Sequence, residues 1–247
     1  MRDLIYGLQP VTALLAQEPH RLLEVFVAIG RMDSRLQPMI QTVQAQGIAL
    51  QRVHPAVLSN KSGGAAHQGV VARIRPQPLY DEQQLQALLK RPDPLLLVLD
   101  GLTDPHNLGA CLRSADAAGV QAVIIPRDRA VPYNATVSKV ACGAAERVPL
   151  VAVTNLARTL RDLQAKGVWI VGTSDQAVPL LYQQKLTGAL ALVMGAEGHG
   201  LRRLTQAQCD VVVRLPMQGS VASLNVSVAT GICLFEAVRQ RTSEIDF

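Results

Sequence analysis

The residues Leu190-Ala-Leu-Val-Met-Gly-Ala-Glu-Gly-His-Gly200 decide how this chain reads. An apolar run passes straight into a glycine-rich loop. A short continuous apolar run of this kind is the mark of a strand buried on both faces. Open α/β sheets bind their ligands just outside the carboxyl ends of such strands. The glycines allow positive φ and close approach of one backbone to another. Glu197 is the single carboxylate of the loop. Further on, Leu215 to Val238 reads as a strand end, a second Gly/Ser loop and a long apolar helix.

Working outward, the pattern from Pro94 onward alternates strand and helix. Strands are predicted over 95–100, 122–125, 148–153, 168–172, 190–194 and 211–215. Helices are predicted near 107–118, 134–142, 155–166, 201–208 and 223–240. Gly119 and Gly167 stand where helix C-caps belong. Strands alternating with helices imply an α/β fold with a mostly parallel sheet covered on both faces.

Residues 1–75 read as a smaller α/β unit. A helical period spans 4–17, and a strand follows over 24–29. A helix over 34–46 has Ser34 as a candidate N-cap and Gly47 just past its end. Strands are predicted at 48–53 and 68–74, with a short helix at 54–60 between them. The loop Lys61-Ser-Gly-Gly-Ala-Ala-His67 reads either as a phosphate-contacting loop or as a plain turn. Arg75-Pro-Gln-Pro78 and Arg91-Pro-Asp-Pro94 disfavour helix at each end of 76–93. That stretch is expected to be a linker containing a helix near 81–90, with the second domain over 94–247.

Composition narrows the function classes. Hydrophobic residues make up 49% and charged residues 17%, enough apolar content for a sizeable core and too little charge for a disordered chain. Aromatics at 3% argue against the stacking platforms of single-strand binders. The net charge of +5 is uneven. Residues 1–75 hold eight Lys/Arg and four Asp/Glu, so the first unit carries most of the field that attracts a polyanion. Cys111, Cys142, Cys209 and Cys233 form no C-x-x-C and read as buried thiols, so no metal is expected. No secretory leader or membrane-length apolar run is visible, so a cytoplasmic protein without a membrane partner is expected.

The familiar cofactor and hydrolase motifs are missing. There is no G-x-G-x-x-G after the first strand of the second domain, no P-loop, no H-E-x-x-H and no G-x-S-x-G. The glycine loop at 195–200 has the spacing G-x-x-G-x-G, the reverse of the dinucleotide fingerprint, which disfavours an oxidoreductase. Asn107 and Arg113 follow the strand over 95–100. Together they offer an amide and a guanidinium, and a guanidinium suits a phosphate. Asn107 reads equally as an N-cap, and Arg113 as part of a solvated face. Glu197 reads also as a solvated carboxylate or a partner of Arg202. Ser223 and Asn225 read also as caps of the last helix, with Ser223 as N-cap. His106 and His199 have no spaced partner that suggests a ligand role.

Three stretches together carry a resemblance. Asn107-Leu-Gly-Ala-Cys-Leu-Arg113, Val193-Met-Gly-Ala-Glu-Gly198 and Leu215-Pro-Met-Gln-Gly219 with Ser223-Leu-Asn-Val226 resemble, in order and separation, the three motifs of the SpoU (TrmH-type) RNA ribose 2′-O-methyltransferases. The first unit is similar to that family's ribosomal-protein-like RNA-binding domain, and the rest to its SPOUT catalytic domain. The stretch Thr103 to Gly119 most resembles the branch that methylates a guanosine in the peptidyl-transferase region of 23S rRNA.

The resemblance implies a C-terminal trefoil knot, S-adenosyl-L-methionine as methyl donor and a homodimer. It implies 23S rRNA or an assembling large ribosomal subunit as substrate. By motif position, Gly195, Leu215 and Leu224 would hold the cofactor. Asn107, Arg113, Glu197, Ser223 and Asn225 would surround the ribose. His199 stands where close relatives are expected to carry Glu, a local change of charge beside Glu197. The alternatives are 2′-O-methylation of another rRNA or tRNA nucleotide, or an RNA-binding protein without catalysis.

Overall fold

The computed structural model describes residues 4–30, 34–75, 79–128, 131, 133–196 and 198–243. The chain forms two compact units. Unit 1 is Met1–Pro78 with Tyr133–Arg147, and unit 2 is Leu79–Pro132 with Val148–Phe247.

Unit 1 is built on strands β1 (Leu4–Tyr6), β2 (Leu22–Ala28), β3 (Ala49–Val53) and β4 (Val70–Ile74), in the order β1-β4-β2-β3. Only β2 and β3 run parallel. Alternation along β2 sends Val25 and Val27 into one cluster with Val11, Leu14, Ile40 and Val43, and Phe26 and Ala28 into another with Tyr6, Leu58 and Val71. The first cluster is supplied by helices α1 (Leu8–Gln17) and α2 (Gln37–Ala45), the second by α3 (Pro55–Lys61).

Several expectations for this unit need correction. Residues 4–17 are not one helix: β1 precedes α1. Gly7 separates them at φ +102°, where L side chains rarely go, and the Leu8 amide at the open helix start donates to Gln68 Oε1 at 3.0 Å. Ser34 does not cap α2, which begins three residues later with Pro38 in its first turn. At α3 the cap is His54, whose Nδ1 accepts from the Ala56 amide at 3.3 Å. In the loop after α3, the His67 ring braces the turn. Its Nδ1 accepts from the Gly69 amide at 3.1 Å, and its Nε2 lies 3.3 Å from Ser59 Oγ.

Unit 2 is a six-stranded, wholly parallel sheet. Its strands are β5 (Leu95–Asp100), β6 (Ala122–Pro126), β7 (Leu150–Val153), β8 (Trp169–Thr173), β9 (Leu190–Gly195) and β10 (Val211–Val213), in the order β10-β8-β9-β5-β6-β7. Every residue of β5 is buried, as strands covered on both faces must be. Helices α4 (Glu82–Leu88) and α7 (Leu156–Gln164) pack Leu85, Leu156, Leu160 and Leu163 against Leu96, Val98 and Ile124. Helix α5 (Pro105–Ala117) lies against α9 (Val226–Ser243). A short α8 (Arg203–Gln206) follows the glycine loop.

The division of the chain differs from the expected one in two places. Residues 79–93 are not a free connector. Tyr80 bridges to Val151, Leu85 is buried, and Glu82 accepts from the Thr154 amide and from Arg158. The helix expected at 134–142 forms as α6 (Ala135–Ala141), capped by Asn134, but it folds into unit 1. An apolar helical face states that it will be buried, but not in which core.

Candidate functional site

The site lies in unit 2, at the carboxyl ends of β8, β9 and β10. Three segments converge there: the turn after β8, the glycine loop after β9, and the run from β10 into α9. Between them they line a cavity of about 760 Å³. That volume is within the usual range for a cofactor-sized ligand, roughly 300–1,000 Å³. Parallel strands put all their carboxyl ends on one edge, and that is why loops distant in sequence meet here.

Gly195 is fixed by close backbone approach. After β9 the chain folds back, so that Ala196 and Gly200 exchange hydrogen bonds of 3.2 and 2.9 Å. A Cβ on Gly195 would lie 2.5 Å from the Gly200 carbonyl oxygen and 2.5 Å from the Leu201 amide nitrogen. No other residue fits without moving the loop.

The loop is then tied to the sheet. Asp100, the last residue of β5, is 1% exposed. Its Oδ2 accepts from the Arg202 amide at 2.9 Å, and its Oδ1 takes the Arg202 guanidinium through Nε at 2.5 Å and through Nη2. A buried carboxylate requires such pairing. Sequence reasoning missed Asp100; the signal was an acidic residue closing an otherwise apolar strand. Arg202, weighed as a partner for Glu197, forms its described ion pair with Asp100. Thr173 was also missed. It lines the cavity and donates from Oγ1 to the Val193 carbonyl at 3.2 Å.

The three residues expected to hold a cofactor, Gly195, Leu215 and Leu224, all line the cavity, and so do Ser223 and Asn225. Ser223 is exposed and does not cap α9. Asn225 holds that place, its Oδ1 accepting from the Ser227 amide at 2.9 Å and from Ser227 Oγ at 2.6 Å. Asn107 is not a cap either. Asp104 caps α5, its Oδ1 accepting from the His106 amide at 2.9 Å, with Pro105 opening the helix. Asn107 is buried inside the first turn and accepts from Asn225 Nδ2 at 3.0 Å. Arg113 is exposed on α5 and does not line the cavity. Glu197 lies outside the described residues. His199 lines the cavity from its exposed side.

Three of the four cysteines are poorly suited to chemistry. Burial pushes Cys111 up to about 11 and Cys233 up to about 12. Burial, with Asp210 and Asp100 nearby, pushes Cys209 up to about 12. At neutral pH all three are thiols and poor nucleophiles. Among the described residues no group of three His, Cys, Asp or Glu is placed to hold a metal ion, and no helix is long and apolar enough to cross a membrane.

Residues 94–235, more than half the chain, match the SpoU rRNA Methylase family. This chain belongs to the SpoU rRNA methylase family. Residues 4–80 match the associated substrate-binding domain of RNA 2′-O ribose methyltransferases. Among relatives of this SpoU protein, the Escherichia coli K12 protein named 23S rRNA (guanosine-2′-O-)-methyltransferase RlmB is 60% identical, over 98% of this chain and 100% of its own. The Vibrio vulnificus protein of the same name is 59% identical over 97% of each chain. Among solved structures, the SpoU methyltransferase AviRb of Streptomyces viridochromogenes in complex with AdoMet superposes with a TM-score of 0.82. It is 25% identical and covers 97% of this chain and 90% of that one. An RNA 2′-O ribose methyltransferase superposes at 0.80 with 32% identity, over 98% and 89% of the two chains.

Proposed function

We propose that this protein transfers a methyl group from S-adenosyl-L-methionine to the ribose 2′-OH of one guanosine in the peptidyl-transferase region of 23S rRNA. The observation that carries the reading is the cavity lined by Gly195, Leu215 and Leu224, in a chain 60% identical over its full length to a protein named for that reaction. The residues fit the donor. The cavity is large enough, it offers glycine backbone for close approach, and it sits at the carboxyl edge of a parallel sheet. The trefoil knot belongs to the same reading, which takes in the same three loops.

The donor supplies a methyl group on a positively charged sulfur, activated for displacement. The chain's task is to hold the 2′-oxygen in line with it and to ease the loss of its proton. Asn225, oriented by Asn107, and Ser223 present polar groups at the cavity rim to the ribose. Arg113 is assigned no base role, because a guanidinium is a fixed cation that donates hydrogen bonds and accepts none. Its role is to anchor the target phosphate and stabilise the developing alkoxide. Its position on α5, away from the cavity lining, suits a group that meets RNA and not cofactor. Glu197 orients Arg113 or accepts the proton. Only ribose carries the 2′-OH, so RNA is selected over DNA by the chemistry itself.

The enzyme works as a homodimer in the cytoplasm, on free rRNA or the assembling large subunit. Supporting the dimer, α9 turns Val228 (51% exposed) and Phe235 (50% exposed) outward at helical i, i+7 spacing, an apolar stripe suited to a second copy. Unit 1 serves as the RNA-binding domain.

The test is methyl transfer from labelled S-adenosyl-L-methionine to unmodified 23S rRNA, with mapping of the product. One 2′-O-methylguanosine in the peptidyl-transferase region is expected. Methylation at another nucleotide would redirect the substrate assignment, and binding of RNA without binding of the donor would leave only an RNA-binding protein.

A further inference from the structure

Unit 1 holds two lysines in an arrangement that the methyl-transfer site does not explain. Tyr6 of β1 and Phe26 of β2 both pair with Val71 of β4, so the three form one row across the sheet and their side chains share a face. Adjacent strands are about 4.8 Å apart, so the backbones of the two residues stand about 10 Å from one another. Lys61 Nζ lies 4.1 Å from the centroid of the Phe26 ring. Lys139 Nζ lies 5.2 Å from the centroid of the Tyr6 ring. Each ammonium thus lies within cation–π reach of a ring, on a half-exposed residue.

Neither ammonium has a carboxylate partner among the described residues. Other cations of the unit do: Arg21 pairs with Glu18 and Arg73 with Glu24. Each lysine sits in the last turn of a short helix, where the helix dipole favours a cation. The dipole does not account for two distant segments delivering lysines to one row. Beside Lys61, Gly63 and Gly64 are exposed, with open space where a Cβ would be, so no bulk guards that side. Lys139 comes from the stretch that matches the methylase family, but it folds into unit 1.

We propose that Lys61 and Lys139 form a two-point contact for the phosphate backbone of the RNA substrate, its second point lent by a segment outside residues 4–80. The two rings that hold the ammoniums come from strands on either side of β4, so each lysine is assigned its own phosphate. The ring contacts hold both charges in place before RNA arrives, and that reduces the ordering cost of binding. This inference rests on the reading of the protein as an rRNA-modifying enzyme.

The experiment uses the full chain with Lys61→Met, Lys139→Met and the double substitution; methionine keeps an apolar stem and removes the charge. Binding to a transcript of the 23S peptidyl-transferase region is measured over a range of KCl concentrations. Each substitution is expected to flatten the slope of log K against log salt by about 0.7–0.9, and the double by about twice that. Affinity for S-adenosyl-L-methionine and kcat at saturating RNA should stay at wild-type values, and Lys→Arg at both positions should keep the wild-type slope. In the wild-type protein, RNA should shield both lysines from an amine-acylating reagent read by mass spectrometry. An unchanged slope in a folded double variant would overturn the proposal, as would unshielded lysines. If methyl transfer persists in that case, only this inference falls. A wild-type protein that binds no rRNA would overturn the functional reading with it.

Discussion

Asn225 donates from Nδ2 to Asn107 Oδ1 at 3.0 Å, while its own Oδ1 caps α9 by accepting from the Ser227 amide. One side chain therefore fixes where α9 begins and ties that start to the first turn of α5. Both residues are drawn from separate motifs of the sequence, and the bond between them joins those motifs at the rim of the cavity. Asn225→Ala is expected to cost about 1–2 kcal/mol, from a lost cap and a lost hydrogen bond. Urea denaturation of Asn107→Ala, Asn225→Ala and the double variant should give a coupling of about 1 kcal/mol. Simple additivity would show that the two amides act separately.

Gly195→Ala tests the close approach at the glycine loop. The new methyl would meet the Gly200 carbonyl oxygen and the Leu201 amide, which are backbone and cannot swing aside. The loop must shift, and overpacking of this kind costs about 1–3 kcal/mol. A lower Tm and roughly tenfold or greater weakening of donor binding by calorimetry are expected. Wild-type affinity in this variant would mean that the loop does not shape the donor site.

The pair Asp100 and Arg202 should respond asymmetrically. Arg202→Met leaves a buried carboxylate without its counter-charge, at about 3 kcal/mol. Asp100→Asn keeps the shape and leaves Arg202, whose side chain is 43% exposed, free to turn to water, at about 1–2 kcal/mol. Denaturant midpoints for the two variants, compared at equal slope, decide the order.

Arg113→Ala separates chemistry from cofactor binding. Arg113 does not line the cavity, so the affinity for S-adenosyl-L-methionine should hold while kcat falls by roughly 10²-fold or more. Single-turnover methyl transfer at saturating donor and RNA measures this. Retained kcat would remove Arg113 from the reaction.

On α9, hydrogen bonds from Arg239 hold the Glu236 carboxyl below its usual range. A carboxylate with a lowered folded pKa stabilises the fold above its unfolded pKa and loses that contribution as pH falls through the folded value. Glu236→Gln should therefore be less stable than wild type at pH 7, with the gap closing below about pH 4. Arg239 is exposed, so solvent screens the pair and the gap should be small. Thermal melts across pH 3–8 would reveal it, and a gap that widened in acid would contradict the assignment.

The sequence by itself determined the six strands of unit 2, their parallel sheet and the two loops that help form the cavity. It did so because strands buried on both faces leave continuous apolar runs, and because loops needing positive φ or close approach leave glycines. The glycine loop at Gly195 was legible for that reason, whereas Leu215 and Leu224 were named only by the motif resemblance; all three line the cavity. Tertiary structure alone decided the rest. In sequence Asn107 suits a cap as well as a site, and Ser223 and Asn225 both suit the cap of α9; the structure puts Asp104 at the first cap and Asn225 at the second, because several polar residues beside a helix start satisfy the same local rule. Asp100 was hidden because its partner, Arg202, is close only once β5 and β9 lie side by side. Segment 133–147 packs with unit 1 although it lies within the stretch that matches the methylase family, because burial is a property of two surfaces, and a sequence displays only one of them at a time.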